Sequence, residues 1–356
     1  MNLIDYGLLS DVYRTNDTAD YARVIAVHKE RYDLVSCHGQ CQAKLKASVY
    51  FNNCSEDYPT AGDFVEIQYN PMGDSLILKT LHRISKFSRN NFMGHAKGYA
   101  KTIKEQTVAA NFDYVFIMQS LNHDFNPKRL ERYLAQAWQS GATPVVILTK
   151  ADLMDDYSEI LAATSQIAVG VDVFVISAKT GYGLDSLSSY LTAGKTIVLL
   201  GSSGVGKSSF VNALANEDVM RVNEIRENDS KGKHTTTHRQ LIRLGSGIMI
   251  IDTPGMRELG MWDVSEGLSE GFADVEDYFG KCKFSDCKHQ SEPGCAIKLA
   301  IECGELSPER WESYKALKEE NKFVEDKAAN LREKKARNIA IKLSEQQLKK
   351  WKRNKL

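Results

Sequence analysis

The chain has 356 residues, enough for two or three domains with a substantial core. Its 46 basic and 46 acidic side chains balance, so net charge indicates no class of partner. No stretch approaches the roughly 20 apolar residues of a membrane span, and the N-terminus lacks the features of a secretory signal. Four of the seven cysteines cluster between Cys282 and Cys303, which favours metal binding in a reducing compartment over disulfides. We therefore expect a cytoplasmic protein without a membrane partner.

An N-terminal extension over residues 1–20 precedes a region, residues 21–88, that predicts a small β-barrel of the oligonucleotide-binding type (OB-fold). Five short runs of alternating apolar residues are separated by polar, glycine or proline turns, although another small β-domain remains an alternative. The runs are ARVIAVH, YDLVSCHG, CQAKLKASVYF, DFVEIQYN and SLILKTLHRI. Cys37, His38 and Cys41 have few potential metal ligands near them in the sequence, so we interpret them as ordinary strand or turn residues.

Residues 100–260 predict an α/β domain with a parallel sheet covered on both faces, because continuous apolar strands alternate with helical segments. One helix is predicted over PKRLERYLAQAWQSG, and others follow Asp155, Leu184 and Lys207. The predicted strands are DYVFIMQS, PVVILTK, DVFVISAK, TIVLLG and IMIIDTPG.

The strand TIVLLG runs into a match to the phosphate-loop pattern G-x-x-x-x-G-K-[ST], and a helix follows it. Glycines let backbone N–H groups turn towards a phosphate, and the helix N-terminus adds its dipole. Lys207 would bridge the β- and γ-phosphates, and the Ser208 hydroxyl would ligate Mg²⁺. The predicted phosphate-binding residues are Gly201, Ser202, Ser203, Gly204, Val205, Gly206, Lys207, Ser208 and Ser209.

A second magnesium element follows the strand IMIID. Asp252 would hold the ion through a water, and the N–H of Gly255 would sense the γ-phosphate. One threonine of the intervening segment KGKHTTTHR would complete the magnesium shell, making this segment a switch. Thr236 and Thr237 are the leading candidates, and a polar surface loop is the alternative.

Two motifs at the ends of upstream strands predict that the base is guanine. Thr149-Lys150-Ala151-Asp152 and Ser177-Ala178-Lys179 resemble the [NT]-K-x-D and S-A-K motifs of translation-factor-class GTPases. Asp152 would accept hydrogen bonds from guanine N1–H and the exocyclic amine, whereas adenine would leave that carboxylate unpaired. The Lys150 stem would lie along the base, and the Ala178 N–H would donate to guanine O6. Thr149 occupies the position where asparagine is commoner, so the sequence does not establish whether one supporting hydrogen bond of the asparagine is kept.

The order of these motifs is unusual, because the guanine motifs precede the phosphate loop. We therefore predict a circularly permuted domain, in which the same sheet is entered at a different strand. The strand that ends at Asp252 then leads directly into the C-terminal region.

Residues 261–330 predict a helical zinc-binding domain, followed by a basic helical tail over residues 331–356. Cys282, Cys287, His289 and Cys295 supply three thiolates and one imidazole, a set that suits one structural Zn²⁺ per chain. A redox cluster or buried free thiols are the alternatives, and Cys303 is a possible substitute ligand. The tail has ten basic and two acidic residues, a net charge of +8.

The residue after Gly255, where many GTPases have a water-orienting glutamine, is Met256. A thioether cannot orient water, so we expect slow intrinsic turnover and a completing group from His234, His238 or a partner. Both histidines have the alternative interpretation of exposed loop residues. A nucleotide-gated scaffold and a P-loop ATPase or kinase are the rival functions.

Together these motifs resemble the RsgA (YjeQ) family of small ribosomal subunit biogenesis GTPases, over roughly 90% of the chain. The resemblance rests on the barrel and on AANFDYVFIMQS, PVVILTKADL, GSSGVGKSS, KGKHTTTHR, DTPGMRELG and CKFSDCKHQSEPGCAI. It implies a cytoplasmic factor for late maturation of the small ribosomal subunit and its rRNA, with zinc on Cys282, Cys287, His289 and Cys295. The leading hypothesis is Mg²⁺-dependent GTP hydrolysis coupled to binding and release of that subunit. We expect GTP and GDP as ligands and a monomeric protein.

Overall fold

The computed structural model describes residues 2–8, 20–28, 31–50, 58–93, 102–122, 125–220, 240–252, 265–290 and 292–322. They form an N-terminal β-barrel, a central α/β sheet and a C-terminal group of helices, so the predicted three-part architecture is confirmed. None of the helices within these ranges is long and apolar enough to cross a membrane.

Five strands close the N-terminal barrel in the order β1-β2-β3-β5-β4, with β4 returning to β1. The β3–β5 pair is parallel and the other pairs are antiparallel, the arrangement of an OB-fold. Alternating apolar side chains, among them Val24, Leu34 and Ile77, fill its interior. The strands are β1 (Asp20–Val27), β2 (Tyr32–Ser36), β3 (Gly39–Leu45), β4 (Phe64–Gln68) and β5 (Ser75–Thr80).

The predicted strand CQAKLKASVYF is too long. β3 ends at Leu45, and a short helix, α1 (Ala47–Tyr50), follows. The helix brings the Tyr50 ring into the barrel core, where its hydroxyl lies 3.0 Å from Thr80 Oγ1. Burial of this ring therefore favours a helix at a point where the alternating sequence pattern predicts a strand.

A two-stranded hairpin that the sequence did not predict connects the barrel to the central sheet. Its strands are β6 (Lys86–Met93) and β7 (Thr102–Ala110), paired from Lys86–Ala110 to Met93–Thr102. The Phe87 ring stacks on Phe112, which fixes the base of the hairpin against the start of the central sheet.

The central sheet has the order β10-β9-β8-β11-β13-β12 and is parallel except for β12. The strand β11, which precedes the phosphate-loop motif, lies in the middle although it is fourth along the chain. The strands are β8 (Tyr114–Ser120), β9 (Thr143–Thr149), β10 (Val173–Val175), β11 (Thr196–Leu200), β12 (Gln240–Arg243) and β13 (Met249–Asp252).

Helices cover both faces of this sheet, as predicted. The apolar sides of α2 (Pro127–Gln139) and α3 (Ser158–Ile167) pack on one face, and α4 (Lys207–Ala215) packs on the other. Asn126 caps α2 by accepting from the Arg129 N–H. The helix predicted after Leu184 is only a four-residue 3-10 helix, because the chain must turn back within eight residues to begin β11.

The C-terminal helices pack against α2. They are α5 (Ser265–Gly271), α6 (Ala273–Glu276), α7 (Ala296–Glu302) and a final helix, α8, over residues 308–322. A Cβ on Gly267 would lie 2.0 Å from the Ala135 carbonyl oxygen, so α5 and α2 approach closely only because residue 267 has no side chain. The buried Arg310 bonds both Glu131 of α2 and Asp274 of α6, which joins the same two parts.

Candidate nucleotide and metal sites

The phosphate loop lies between β11 and α4. Gly201, Gly204 and Gly206 have φ values of 154°, 73° and 104°, which favour glycine over residues with a side chain. A Cβ on Gly201 would also lie 2.7 Å from the Met118 carbonyl oxygen. The Lys207 ammonium donates to the carbonyl oxygens of Gly201 at 2.8 Å and Ser202 at 2.6 Å, which holds its charge against the loop.

The two proposed magnesium residues come from neighbouring elements. Ser208 is half-buried in the first turn of α4, and Asp252 ends β13, which pairs in parallel with β11. Because parallel strands end at the same edge of a sheet, Asp252 and the phosphate loop share one edge. This edge is where ligands of open α/β sheets bind.

The two guanine motifs meet at the ends of β9 and β10, which are neighbours in the sheet. The buried Ser177 hydroxyl donates to Asp152 Oδ1 at 2.6 Å, so it orients the exposed carboxylate that would read guanine. Lys150 has φ of 62°, the left-handed conformation, at the turn between β9 and Asp152. Ala178 and Lys179 follow Ser177 in the same loop, with Lys179 exposed.

Thr149 provides the supporting hydrogen bond that the sequence left open. Its buried hydroxyl lies 2.7 Å from the carbonyl oxygen of Val205 and 3.2 Å from that of Gln119. Its single proton can be donated to only one of them, and the Val205 contact is the shorter. Thr149 thus connects the guanine strand β9 to the phosphate loop across 56 residues of sequence.

Sequence reasoning missed Gln119 and Arg129, which lie beside this connection. The side chain of Gln119 is fully buried at the end of β8 and accepts from Arg129 Nη2 at 3.3 Å. An amide within the apolar run DYVFIMQS was the only sequence signal for this contact.

The four predicted zinc ligands converge. His289 Nδ1 lies 3.5, 3.7 and 3.4 Å from the sulfurs of Cys282, Cys287 and Cys295. A tetrahedral zinc with bonds of about 2.3 Å to sulfur and about 2.1 Å to nitrogen requires separations of about 3.6 Å. The donor set and its spacing therefore fit Zn²⁺, whereas the exposed Cys303 is not part of this group.

Aromatic rings and a backbone N–H group position the side chains of the predicted zinc site. The His289 ring stacks on Phe279 at 5.1 Å and meets Trp311 edge-on at 5.7 Å. The Ala296 N–H donates to Cys282 Sγ at 3.3 Å, which favours a thiolate. Burial lowers the pKa of His289 below its usual value, which favours the neutral imidazole that binds metal.

A second group of possible metal ligands lies on the barrel, where Asp20 joins Cys37 and His38. His38 Nε2 is 3.1 Å from Asp20 Oδ1, and its ring stacks on Tyr69 at 4.1 Å. Cys37 and His38 are exposed, and the hydrogen bond and the stacking account for the position of the imidazole. The interpretation of Cys37 and His38 as ordinary strand or turn residues stays a prediction.

Several predicted residues lie outside the described part of the chain. They are Thr236 and Thr237 with their neighbour Thr235, His234, His238, Gly255, Met256 and the basic tail, residues 331–356.

Comparisons with known proteins agree with this arrangement. The family model described as RsgA GTPase matches residues 86–262. The Listeria monocytogenes protein named small ribosomal subunit biogenesis GTPase RsgA 1 is 45% identical over 322 residues, covering 90% of this chain and 89% of that protein. The crystal structure of YjeQ from Thermotoga maritima has a TM-score of 0.64 at 28% identity, covering 85% of this chain and 98% of that one. The structure of YloQ, described as a circularly permuted GTPase, shares the fold with a TM-score of 0.61 at 24% identity, covering 88% and 98%. This chain therefore belongs to the RsgA family of GTP hydrolases.

Proposed function

We propose that the chain hydrolyses GTP to GDP and phosphate in a Mg²⁺-dependent reaction coupled to binding and release of the small ribosomal subunit during late maturation. The contact between Thr149 and Val205 carries the proposal, because it joins the base-reading strand to the phosphate loop. A GTP molecule bound along this edge would contact both elements at once.

Guanine is selected by Asp152, which accepts from N1–H and from the exocyclic amine. Ser177 orients the carboxylate, Lys150 and Lys179 flank the base, and the Ala178 N–H donates to O6. The hydrogen bond of 2.6 Å from Ser177 to Asp152 supports this assignment, since it aligns the acceptor before the base arrives. The same carboxylate would stay unpaired against adenine, so we expect GTP to bind more tightly than ATP. Equal affinities for the two nucleotides would favour the ATPase or kinase alternative.

Phosphate charge is neutralised by Lys207 and by the backbone N–H groups of residues 201–209. Ser208 and Asp252 would hold Mg²⁺ together with Thr236 or Thr237, and Gly255 would donate to the γ-phosphate. When bound, the ion stabilises negative charge on the β- and γ-phosphate oxygens. β11 and β13 are parallel neighbours and end at the same edge of the sheet, which supports the assignment of Ser208 and Asp252 to one magnesium site.

Water orientation is the incomplete part of the site, because Met256 has no group that can hydrogen-bond a water. We assign this role to His234, His238 or a group of the partner, with the partner favoured. Intrinsic turnover is then slow, and the partner accelerates it.

The partner is the small ribosomal subunit, which the names of the RsgA relatives include. A cleft of about 500 Å³ beside the zinc ligands is lined by three lysines, Lys288, Lys315 and Lys318, and one acidic residue, Glu319, a net basic surface that suits rRNA phosphates. We assign residues 21–88 to the OB-fold barrel, 100–260 to the GTPase domain and 261–330 to the zinc domain, where one Zn²⁺ on four protein ligands is structural.

The test is GTP turnover by the purified protein with and without small ribosomal subunits. Acceleration by at least about tenfold is expected, since groups supplied in trans add roughly 10³ to 10⁵ in other GTPases. Subunits that bind the GTP form and leave turnover unchanged would refute coupling and favour a nucleotide-gated scaffold.

A further inference from the structure

Within the described residues, the barrel and the GTPase sheet form one continuous β-sheet in which β1 pairs with β12. Ala26 of β1 pairs with Gln240 of β12, and Gln240 pairs in turn with Asp252 of β13. A register shift between Val24 and Ala26, in the pairing of β1 with β2, marks where β1 leaves β4 and meets β12. Such irregularities redirect a strand locally. The barrel is therefore two strand pairings away from the proposed magnesium ligand.

A buried arginine fixes this joint. The Arg23 side chain is 1% exposed and donates to the carbonyl oxygens of Tyr6, of Gly62 at 3.2 Å and of Asn111 at 2.8 Å. These acceptors belong to the N-terminal segment, the barrel and the entry to the central sheet. Arg23 Nη1 also lies 3.3 Å from the sulfur of Met249, the first residue of β13. Only the guanidinium fork carries enough donors in fixed directions to hold all of these segments.

Close backbone packing leaves this joint little freedom. A Cβ on Gly62 would lie 2.1 Å from the Ala110 carbonyl oxygen and 2.8 Å from Ile251 Cδ1. The Ala110 N–H donates to the Ala61 carbonyl oxygen at 3.2 Å. The barrel turn and the end of the hairpin therefore meet backbone to backbone, and the Ile251 side chain packs β13 against the same turn. This close packing favours transmission of a barrel displacement to β13.

We propose that the barrel and Asp252 move as one unit through this joint, so that RNA bound to the barrel sets the position of Asp252 and with it the hydrolysis rate. Arg23 is the positioning residue of the joint. The inference rests on the proposed function for the identity of the RNA, which is that of the small ribosomal subunit. Coupling between two sites is reciprocal, so binding of magnesium and GTP must also restrain the barrel strand β1.

The experiment compares the unmodified protein with Arg23→Met, which keeps the length of the side chain and removes all its donors. Arg23→Lys keeps the positive charge and some of the hydrogen-bond donors. It serves as the test variant if Arg23→Met does not fold. The control Ile77→Ala weakens the barrel core from β5, where Ile77 is fully buried and whose strand partners are β3 and β4. Circular dichroism first establishes that each variant is folded at the assay temperature.

Two readouts are taken for each folded protein: hydrogen exchange of residues 20–27 with and without magnesium and GTP, and the acceleration of turnover by small subunits. In the unmodified protein and in Ile77→Ala, nucleotide slows exchange in β1 and subunits accelerate turnover. In Arg23→Met the protection of β1 is lost and the acceleration falls by about fivefold or more, with a smaller loss in Arg23→Lys. Nucleotide affinity is measured for each variant and turnover is assayed at saturating GTP, so that a change in the acceleration does not reflect a change in nucleotide binding.

The two proposals fail separately. If subunits do not accelerate the unmodified protein but nucleotide protects β1, the proposed function and the control of the rate by RNA fail, whereas the coupling between β1 and Asp252 stands. If nucleotide leaves exchange in β1 of the unmodified protein unchanged, the joint does not couple the sites, whatever the subunits do. Folded Arg23 variants that keep both the protection and the full acceleration would likewise overturn the role of Arg23.

Discussion

Asp152→Asn tests guanine selection most directly, because it changes one carboxylate and preserves its shape. In the proposed complex the Asp152 carboxylate would accept two hydrogen bonds, one from guanine N1–H and one from the exocyclic amine. In the free protein its Oδ1 accepts from Ser177 at 2.6 Å, so the carboxylate is already oriented. An amide keeps one acceptor and presents a donor to the guanine amine, which is itself a donor.

The expected loss follows from the strength of those bonds. A hydrogen bond to a charged group contributes about 1.5–3 kcal/mol, and a donor left without an acceptor costs about 1–3 kcal/mol more, so losing the bond to the exocyclic amine costs about 2.5–6 kcal/mol in total. Since about 1.4 kcal/mol corresponds to a tenfold change in affinity, GTP binding should weaken roughly 10²- to 10⁴-fold. Xanthine carries an oxygen in place of the exocyclic amine and accepts from the new amide. Xanthosine triphosphate should therefore bind the variant better than GTP does.

Equilibrium titration with both nucleotides measures these affinities. The control is Asp155→Asn, since Asp155 is exposed three residues further along the same loop and the substitution makes the same charge change. The control should bind GTP as the unmodified protein does. Unchanged GTP affinity in folded Asp152→Asn would remove Asp152 from the base pocket.

Four further predictions concern other parts of the molecule. Thr149→Val leaves the buried Val205 carbonyl oxygen without its donor, and should lower the free energy of unfolding by about 1–3 kcal/mol, with Thr149→Ser as the control in thermal unfolding. Cys287→Ser should release the zinc and unfold the C-terminal helices while nucleotide binding persists, and a metal-free protein whose C-terminal helices are folded would contradict a structural zinc. Deleting residues 331–356 should reduce the salt dependence of subunit binding, because basic side chains release counterions; an unchanged slope favours a solvated tail. Met256→Gln should leave intrinsic turnover slow if the partner completes the site, and fast turnover would show that the missing glutamine alone limits the rate.

The glycine turn of the phosphate loop and the convergence of Cys282, Cys287, His289 and Cys295 could be predicted because each is formed within a short stretch of chain. Sequence patterns reflect local properties of this kind, namely the backbone conformations of Gly201, Gly204 and Gly206 and the spacing from Cys282 to Cys295. The fold class also followed from periodicity, since buried parallel strands read as continuous apolar runs.

Contacts between distant segments could not be predicted in the same way. The Thr149 hydroxyl finds its acceptor 56 residues away, and Arg23 contacts Met249 across 226 residues, so neither has a sequence spacing that marks it. The hairpin of β6 and β7 could not be predicted because its strands, KFSRNNFM and TIKEQTVAA, are largely polar and lack a sustained alternation of apolar residues. Arg23 itself stood within an apolar run, where a charged residue is a weak sign of a long-range contact.

The strand order of the central sheet has a consequence for synthesis on the ribosome. β8, β9 and β10 emerge first, but β11, which covers the open edge of β8, ends 80 residues after β8 does. At about 5–20 residues per second, this edge stays without its partner for about 4–16 s. An unpaired edge of apolar strand can pair with another chain, so nascent chains of this protein are exposed to misassembly during that interval. Slower translation between residues 120 and 200 should therefore lower the yield of folded protein.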